Sequence, residues 1–341
     1  MLSFVNDYSE GAHPAVLQRL IDTNMEQLPG YGKDRYTRSA AAKIALACGH
    51  EQARVFLMAG GTQTNQVITS TILKPYQGVV AADTGHVNVH EAGAIEAAGH
   101  KVLSLPGRKG KVDAAVLDEF LDAFYTDANH PQMVYPGMVY ISHPTEYGTL
   151  YTRGELAALA ATCRKHDIPL YLDGARLGYG LVAPGTDVTL SDIADLCDVF
   201  YIGGTKVGAL CGEAVVFPKG DPPDHFTTMI KQRGALLAKG RLLGVQFDAL
   251  FSDDLYTRIS RNAIKTAGMI KEAFRQKGYR IYMDSPTNQT FVILSNETME
   301  ELAKQVAFDF WERADESHTV VRFATSWATK TEDVQALISL L

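Results

Sequence analysis

Leu170-Tyr171-Leu172-Asp173-Gly174-Ala175-Arg176 and, one helix and one loop further on, Val199-Phe200-Tyr201-Ile202-Gly203-Gly204-Thr205-Lys206 decide how this chain is read. Each is a short apolar run that ends abruptly in glycine and a charged side chain. Hydrophobicity on consecutive positions, rather than on alternate ones, marks a strand covered on both faces. Working outward, the same signature recurs at Val55–Ala59, Val79–Ala82, Val102–Leu105, Met138–Ser142 and Ala214–Phe217, which gives seven strand candidates. Helical patterns separate them. The clearest runs from Thr152 to His166, where Thr152 and Glu155 match a capping box ahead of Leu156, Leu159 and Ala160. Strand–helix alternation of this kind implies an α/β fold around a mainly parallel seven-stranded sheet.

Past Phe217 the pattern changes. Pro218, Pro222 and Pro223 mark a turn, and a long helical region follows from about His225 to Lys277, with a break expected near Ser252-Asp253-Asp254. The remainder reads as strands Tyr279–Met283 and Thr290–Leu294, a helix Met299–Ala314, a strand Val320–Ala324 and a last helix after Thr331. The chain is therefore expected to divide into a large unit, 1–248, and a smaller α+β unit, 249–341, with the change-over on a helix.

Composition narrows the function classes. The 341 residues are 46% hydrophobic and 21% charged, with 32 Lys plus Arg against 39 Asp plus Glu and a net charge of −7. An acidic chain without a basic block lacks the clustered cations that nucleic-acid phosphates require. No apolar run approaches the roughly 18 residues of a membrane span. Met1-Leu2-Ser3-Phe4-Val5 carries no secretion signal pattern. Cys48, Cys163, Cys197 and Cys211 form no CxxC pair and no metal-ligand spacing, which suits reduced thiols in a cytoplasmic protein and predicts no metal site.

Ligands of an open parallel sheet bind outside the carboxyl ends of its strands. Four such junctions are chemically loaded. Gly60-Gly61-Thr62 after the first strand lets backbone amides approach an anion at a helix N-terminus, with Thr62 adding a hydroxyl. A glycine turn needed for local geometry alone explains it equally well. Asp83-Thr84-Gly85-His86 offers an imidazole for stacking or proton exchange, and His90 and Glu91 follow it. Asp173 places a carboxylate at the end of a buried strand, which Arg176 could simply neutralise. Lys206 is flanked by small or apolar residues, the setting in which a desolvated amine becomes a Schiff-base nucleophile. A phosphate cradle, a ring-stacking histidine, a carboxylate and an unpaired lysine together suit one cofactor, pyridoxal 5'-phosphate. A dinucleotide is disfavoured, because no GxGxxG follows the first strand.

At these residues the sequence resembles the fold-type I pyridoxal-phosphate enzymes, with their aspartate aminotransferase-like large domain, and among them the L-threonine aldolase / β-eliminating lyase family. Asp173-Gly174-Ala175-Arg176, Gly203-Gly204-Thr205-Lys206, Tyr31-Gly32-Lys33-Asp34 and Asn6-Asp7 carry the likeness. The resemblance implies that Lys206 holds the cofactor's aldehyde and that Asp173 pairs with its ring nitrogen. Gly61 and Thr62 would bind the phosphate, His86 would stack on the ring, and Thr205 and Arg176 would also contact the cofactor. Arg176 and Arg322 would hold a substrate carboxylate, with Asn6 lining the same pocket. Arg241 would reach the phosphate of a neighbouring subunit and Tyr31 would come from a partner chain, implying a homodimer or a dimer of dimers. One departure stands out: where the family carries a histidine for the substrate hydroxyl, this chain has His143-Pro144-Thr145-Glu146, so Glu146 occupies the matching position and His143 lies three residues earlier.

The implied activity is retro-aldol cleavage of a β-hydroxy-α-amino acid, threonine giving glycine and acetaldehyde, with His86 or His143 taking the hydroxyl proton. β-Elimination and amino-group transfer on the same cofactor are the rival activities. A binding or regulatory protein that keeps the fold without turnover is a rival of another class, which the intact Lys206 argues against.

Overall fold

The computed structural model describes residues 1–341. Its central sheet is built from β1 (Arg54–Met58), β2 (Gln77–Ala82), β3 (Val102–Leu105), β4 (Tyr135–Ser142), β5 (Leu170–Asp173), β6 (Val199–Gly203) and β7 (Glu213–Phe217). The spatial order is β1-β7-β6-β5-β4-β2-β3. Five strands, β2 to β6, run parallel to one another; β7 is antiparallel to both β1 and β6. β4 to β7 are almost wholly buried, as continuous apolar runs demand, and helices cover both faces. The capping box expected at the start of helix Arg153–Lys165 is present in both halves.

A second sheet comprises β8 (Arg280–Met283), β9 (Gln289–Ser295), β10 (Asp309–Arg313) and β11 (His318–Ala324), antiparallel throughout in the order β10-β11-β9-β8. Its inner face, with Val292, Leu294, Val321 and Phe323, packs on Ile270 and Phe274 of the helix Leu255–Gln276. The first turns of that helix, through Leu255, Tyr256 and Ile259, belong to the core of the central sheet instead. One helix thus ties two hydrophobic cores together.

The helical stretch after Phe217 is interrupted twice. The expected break occurs at Phe251–Asp254, where Asp253 and Asp254 take positive φ. A further loop separates Phe226–Gln232 from Arg241–Leu250. The helix expected over Met299–Ala314 is corrected: the helix covers Asn296–Ala303, and the chain then extends into a two-residue strand, Val306–Ala307, and into β10. Leu302, Val306 and Phe310 lie four apart and imitate a helical face, but Val306, Phe308 and Phe310 also alternate. Pairing of Asp309–Arg313 with β11 settles the competition for extended backbone.

The start of the chain reaches this region from afar. Leu2–Ser3 pairs in parallel with Val306–Ala307. The Phe4 N–H donates to Ala307 O (2.7 Å), and the Ala324 N–H donates to Phe4 O (2.8 Å). Phe4 itself is buried in the second core. This strap delivers residues 5–8 to the carboxyl end of the central sheet. No helix of the structure is long and apolar enough to cross a membrane.

Candidate active site

β5 and β6 lie side by side, so the loops that follow them must share space. A Cβ on Gly174 would be driven into Tyr201 O, and one on Gly203 into Ala175 O. Glycine at both positions is what allows the Asp173 loop and the Lys206 loop to lie against each other, and Gly203 N–H donates across them to Gly174 O (2.9 Å). The two motifs that decide the sequence reading are thereby joined into one wall.

Asp173 is buried at the end of β5, and each of its oxygens is met. Tyr201 Oη donates to Oδ1 at 2.5 Å, the Ala175 N–H donates to Oδ1 at 3.0 Å, and Tyr140 Oη donates to Oδ2 at 2.7 Å. Burial, and then the charge of Asp173, push both phenols well above their usual range, so they remain donors. Asn65 Nδ2 adds a longer contact to Oδ2 (3.3 Å) and a shorter one to Glu91 Oε1 (2.7 Å). Glu91 Oε1 in turn lies 3.0 Å from His86 Nδ1, fixing the imidazole plane. A chain of contacts therefore runs from the strand-end carboxylate to the histidine.

Lys206 stands in the same cavity without a hydrogen-bond partner for its amine, 5.9 Å from the Tyr8 ring centre. Burial, reinforced by Arg176, lowers its proton affinity below that of an ordinary lysine. Beside it Glu213 is buried and its carboxyl is pushed up to about 8, although Thr205 Oγ1 donates to Oε1 (2.8 Å) and Gly204 N–H to Oε2 (3.2 Å). Burial drives both groups toward their uncharged forms, and an uncharged amine is a nucleophile.

Opposite Lys206 the helix Gly61–Ile72 begins at Gly60 with no side-chain cap. Its first amides and the Thr62 hydroxyl are left facing the cavity, which is an anion site by construction. Arg176 is held by Asp7 through Nε (2.6 Å to Oδ2) and Nη2 (3.0 Å to Oδ1). Burial opposes ionisation of Asp7, but Arg176 and then Lys206 outweigh it and keep its carboxyl below the usual range. Arg322 on β11 is braced by Gln289 Oε1 (3.0 Å), Asp309 Oδ2 (2.6 Å) and Val5 O (3.3 Å), and sits over the Trp311 ring.

These residues line two adjoining cavities. The inner one, about 290 Å³, contains the anion site, Asp173, Thr205 and Lys206; the outer one, about 580 Å³, contains Arg322 and an aromatic wall of Tyr147 and Trp311. His86, Arg176 and Lys206 border both. Of the residues singled out in the sequence, Gly61, Thr62, His86, Asp173, Arg176, Thr205, Lys206 and Arg322 thus converge here.

Four others do not. His143 is fully buried behind the cavity, where its Nδ1 accepts from the Tyr151 N–H (3.3 Å) and burial holds it at about 4, neutral at any physiological pH. Asn6 is turned away; its Oδ1 accepts from the Tyr8 N–H and from Ser9 Oγ, both at 2.9 Å, and so shapes the turn that presents Asp7 and Tyr8. Tyr31 is half exposed in a separate depression beside Lys231, and Arg241 donates to Glu26 O (2.8 Å) and to Thr23 O. Tyr8, Asn65, Glu213 and Trp311 escape the sequence reading, and Asp7 enters it only as part of the family likeness. The signal for Glu91 was its place five residues after His86, which could have been read as a histidine partner.

The inventory fits pyridoxal phosphate on the chemistry of its donors: uncapped amides for the phosphate, a fully solvated-by-protein carboxylate for the ring nitrogen, and an unpartnered buried amine for the aldehyde. Comparison with known proteins agrees. Residues 6–329 match the family model described as beta-eliminating lyase. The low specificity L-threonine aldolase of Pseudomonas aeruginosa is 28% identical over 98% of this chain and 95% of its own length. The solved structure of Leishmania major threonine aldolase is 40% identical, covers 100% of this chain and 98% of its own, and superposes with a TM-score of 0.96. An aspartate aminotransferase from Thermus thermophilus, at 14% identity and a TM-score of 0.70, shares the fold alone. The chain belongs to the threonine aldolase / beta-eliminating lyase family of fold-type I, pyridoxal-phosphate-dependent enzymes.

Proposed function

We propose that the protein cleaves the Cα–Cβ bond of a β-hydroxy-α-amino acid, threonine or allo-threonine yielding glycine and acetaldehyde. The observation that carries this reading is the convergence, in one pair of cavities, of an unpartnered buried amine with a three-donor carboxylate and two arginines. The name and 40% identity of the Leishmania major relative support it. Pyridoxal phosphate, when bound, supplies the electron sink that makes the bond breakable.

The chain's own residues supply the rest. Lys206, with its lowered proton affinity, would hold the cofactor's aldehyde. The amides of Gly61 and Thr62 would hold its phosphate, and Asp173 its ring nitrogen. His86, its plane set by Glu91, would face the ring. Arg176 and Arg322 grip the substrate carboxylate. Guanidinium suits this because a two-point grip fixes orientation as well as position, and only a bond held perpendicular to the ring plane breaks readily. We further propose that Tyr31 and Arg241 complete the site of a neighbouring copy in a homo-oligomer, which accounts for their distance from the cavity of their own chain.

The test is a product assay on the holoenzyme with L-threonine and L-allo-threonine. Glycine with acetaldehyde is the expected outcome. Ammonia with a 2-oxo acid would assign β-elimination instead, and amino-group transfer to an added 2-oxo acid would assign an aminotransferase.

A further inference from the structure

Glu146 follows β4 and is buried, with its carboxyl bordering both cavities. Its two oxygens differ. Oε1 accepts from Ser142 Oγ (2.6 Å) and from the His86 N–H (3.0 Å). Oε2 is buried and has no partner. The backbone around it is held within its own loop, where Thr145 N–H donates to Thr149 O (3.0 Å) and Gly148 N–H to Thr145 O (2.8 Å), and from the second sheet, where Gln289 Nε2 at the start of β9 donates to Glu146 O (3.3 Å). A buried polar oxygen left unpaired costs stability, and the two donors on Oε1 leave Oε2 unaccounted for.

We infer that Glu146 Oε2 exchanges the proton of the substrate's β-hydroxyl. This rests on the reading of the site given above. With the amine toward Lys206 and the carboxylate at Arg176 and Arg322, the α-carbon has two positions left, for its hydrogen and its β-carbon, and we place the β-carbon against the wall shared by the two cavities. The groups that line both cavities, besides Arg176 and Lys206, are Tyr8, His86 and Glu146. A histidine lying flat on a planar ring directs both its nitrogens parallel to the ring, whereas the bond to be broken stands perpendicular to it. His143 is behind the wall. Glu146 offers a carboxylate oxygen without a partner, closed off in the fold, which a turn of the carboxyl brings to the substrate. Burial raises its affinity for a proton, the Ser142 hydrogen bond and His86 opposing and Asp173 adding, which makes it a stronger acceptor than an ordinary carboxylate.

The step balances. The hydroxyl proton passes to Oε2, and the O–H electron pair becomes the second C–O bond of the aldehyde. The Cα–Cβ pair is withdrawn from Cβ and finally captures a proton at Cα. One proton leaves oxygen and one reaches carbon, so threonine gives glycine and acetaldehyde without an oxidant.

Glu146→Gln keeps the size of the side chain and the acceptor for Ser142 and His86, and removes the base. Two rates are compared in the holoenzyme: glycine release from L-threonine, and exchange of the glycine Cα proton with deuterated water followed by NMR, which needs no hydroxyl proton transfer. The expected loss of cleavage is about 10²–10⁴-fold, at least tenfold larger than any loss of exchange. Losses that differ by less than tenfold would overturn the inference. Infrared spectra of the protein without substrate give an independent reading: the buried neutral carboxyl band at acid pH is expected to lose the Glu146 contribution in Glu146→Gln while that of Glu213 persists. An unchanged band would also overturn it. A wild-type protein that exchanges glycine yet releases none from either threonine isomer defeats the aldolase reading itself, and Glu146 with it.

Discussion

Asp173 and Glu146 are buried carboxyls at the ends of neighbouring strands, yet they are finished differently. Asp173 receives donors on both oxygens, two of them phenols that burial keeps protonated. Glu146 receives donors on one oxygen and keeps the other open. A saturated carboxylate is suited to holding a charge in place, and an unsaturated one to accepting a proton that arrives. The hydrogen-bond inventory thus separates a resident electrostatic partner from a transient acid–base group before any substrate is considered.

The comparison can be broken at its strong end first. Asp173→Asn keeps the shape, but it removes the charge and turns one acceptor oxygen into a donor that faces a buried phenol or amide. Glycine release should fall on the order of 10³-fold, alongside a loss of stability of about 1–3 kcal/mol from the stranded donor. A retained rate would mean that hydrogen bonding alone, without charge, suffices at the end of β5. Next in size is Arg322→Lys. Replacing a braced guanidinium by a point charge loses one charged hydrogen bond, worth about 1.5–3 kcal/mol, and kcat/KM for threonine should drop by roughly one to two orders of magnitude. An unchanged kcat/KM would remove Arg322 from the carboxylate site.

The smallest effect concerns a third buried carboxyl, Glu213. Its affinity for a proton rises from 4.5 in the ordinary state to about 8 in the fold. The folded form holds the proton longer, so the stability this contributes is complete below pH 4.5 and is lost as pH rises through 8. Glu213→Gln cannot lose it. The variant should melt above the wild type at pH 8.5, at roughly 2–4 °C per kcal/mol, with the gap closing toward pH 5. A gap independent of pH would show that Glu213 ionises as freely in the fold as outside it.

What the sequence discloses of this site follows a physical rule. Residues that act from the end of their own strand, Gly61, His86, Asp173 and Lys206, are legible because apolar run, glycine and polar group are contiguous. Asp7 and Tyr8 are carried in by the strap, and Trp311 by an edge strand whose spacing of apolar residues imitates a helix. Their roles depend on partners more than a hundred residues away, as Arg176 is from Asp7, and no local pattern encodes that. His143 misleads for the converse reason: it lies in the right loop, but the backbone turns it into the core and the neighbouring Glu146 outward. The central strands were all readable from hydrophobicity, because burial on both faces leaves no ambiguity of period.

The strap has a consequence for the order in which the site comes into being. Residues 2–8 are synthesised before every other part of the site, yet Asn288, Val306–Ala307, Arg322 and Ala324, which hold them, are synthesised after almost everything else. A nascent chain that has emerged as far as Phe217 holds every strand of the central sheet, and Arg176 for Asp7, but the later partners of the strap and the second arginine do not exist. Closing so long a loop is slow relative to local pairing. Capacity to bind the cofactor therefore precedes capacity to orient an amino acid, and the holoenzyme matures from the inside of the cavity outward.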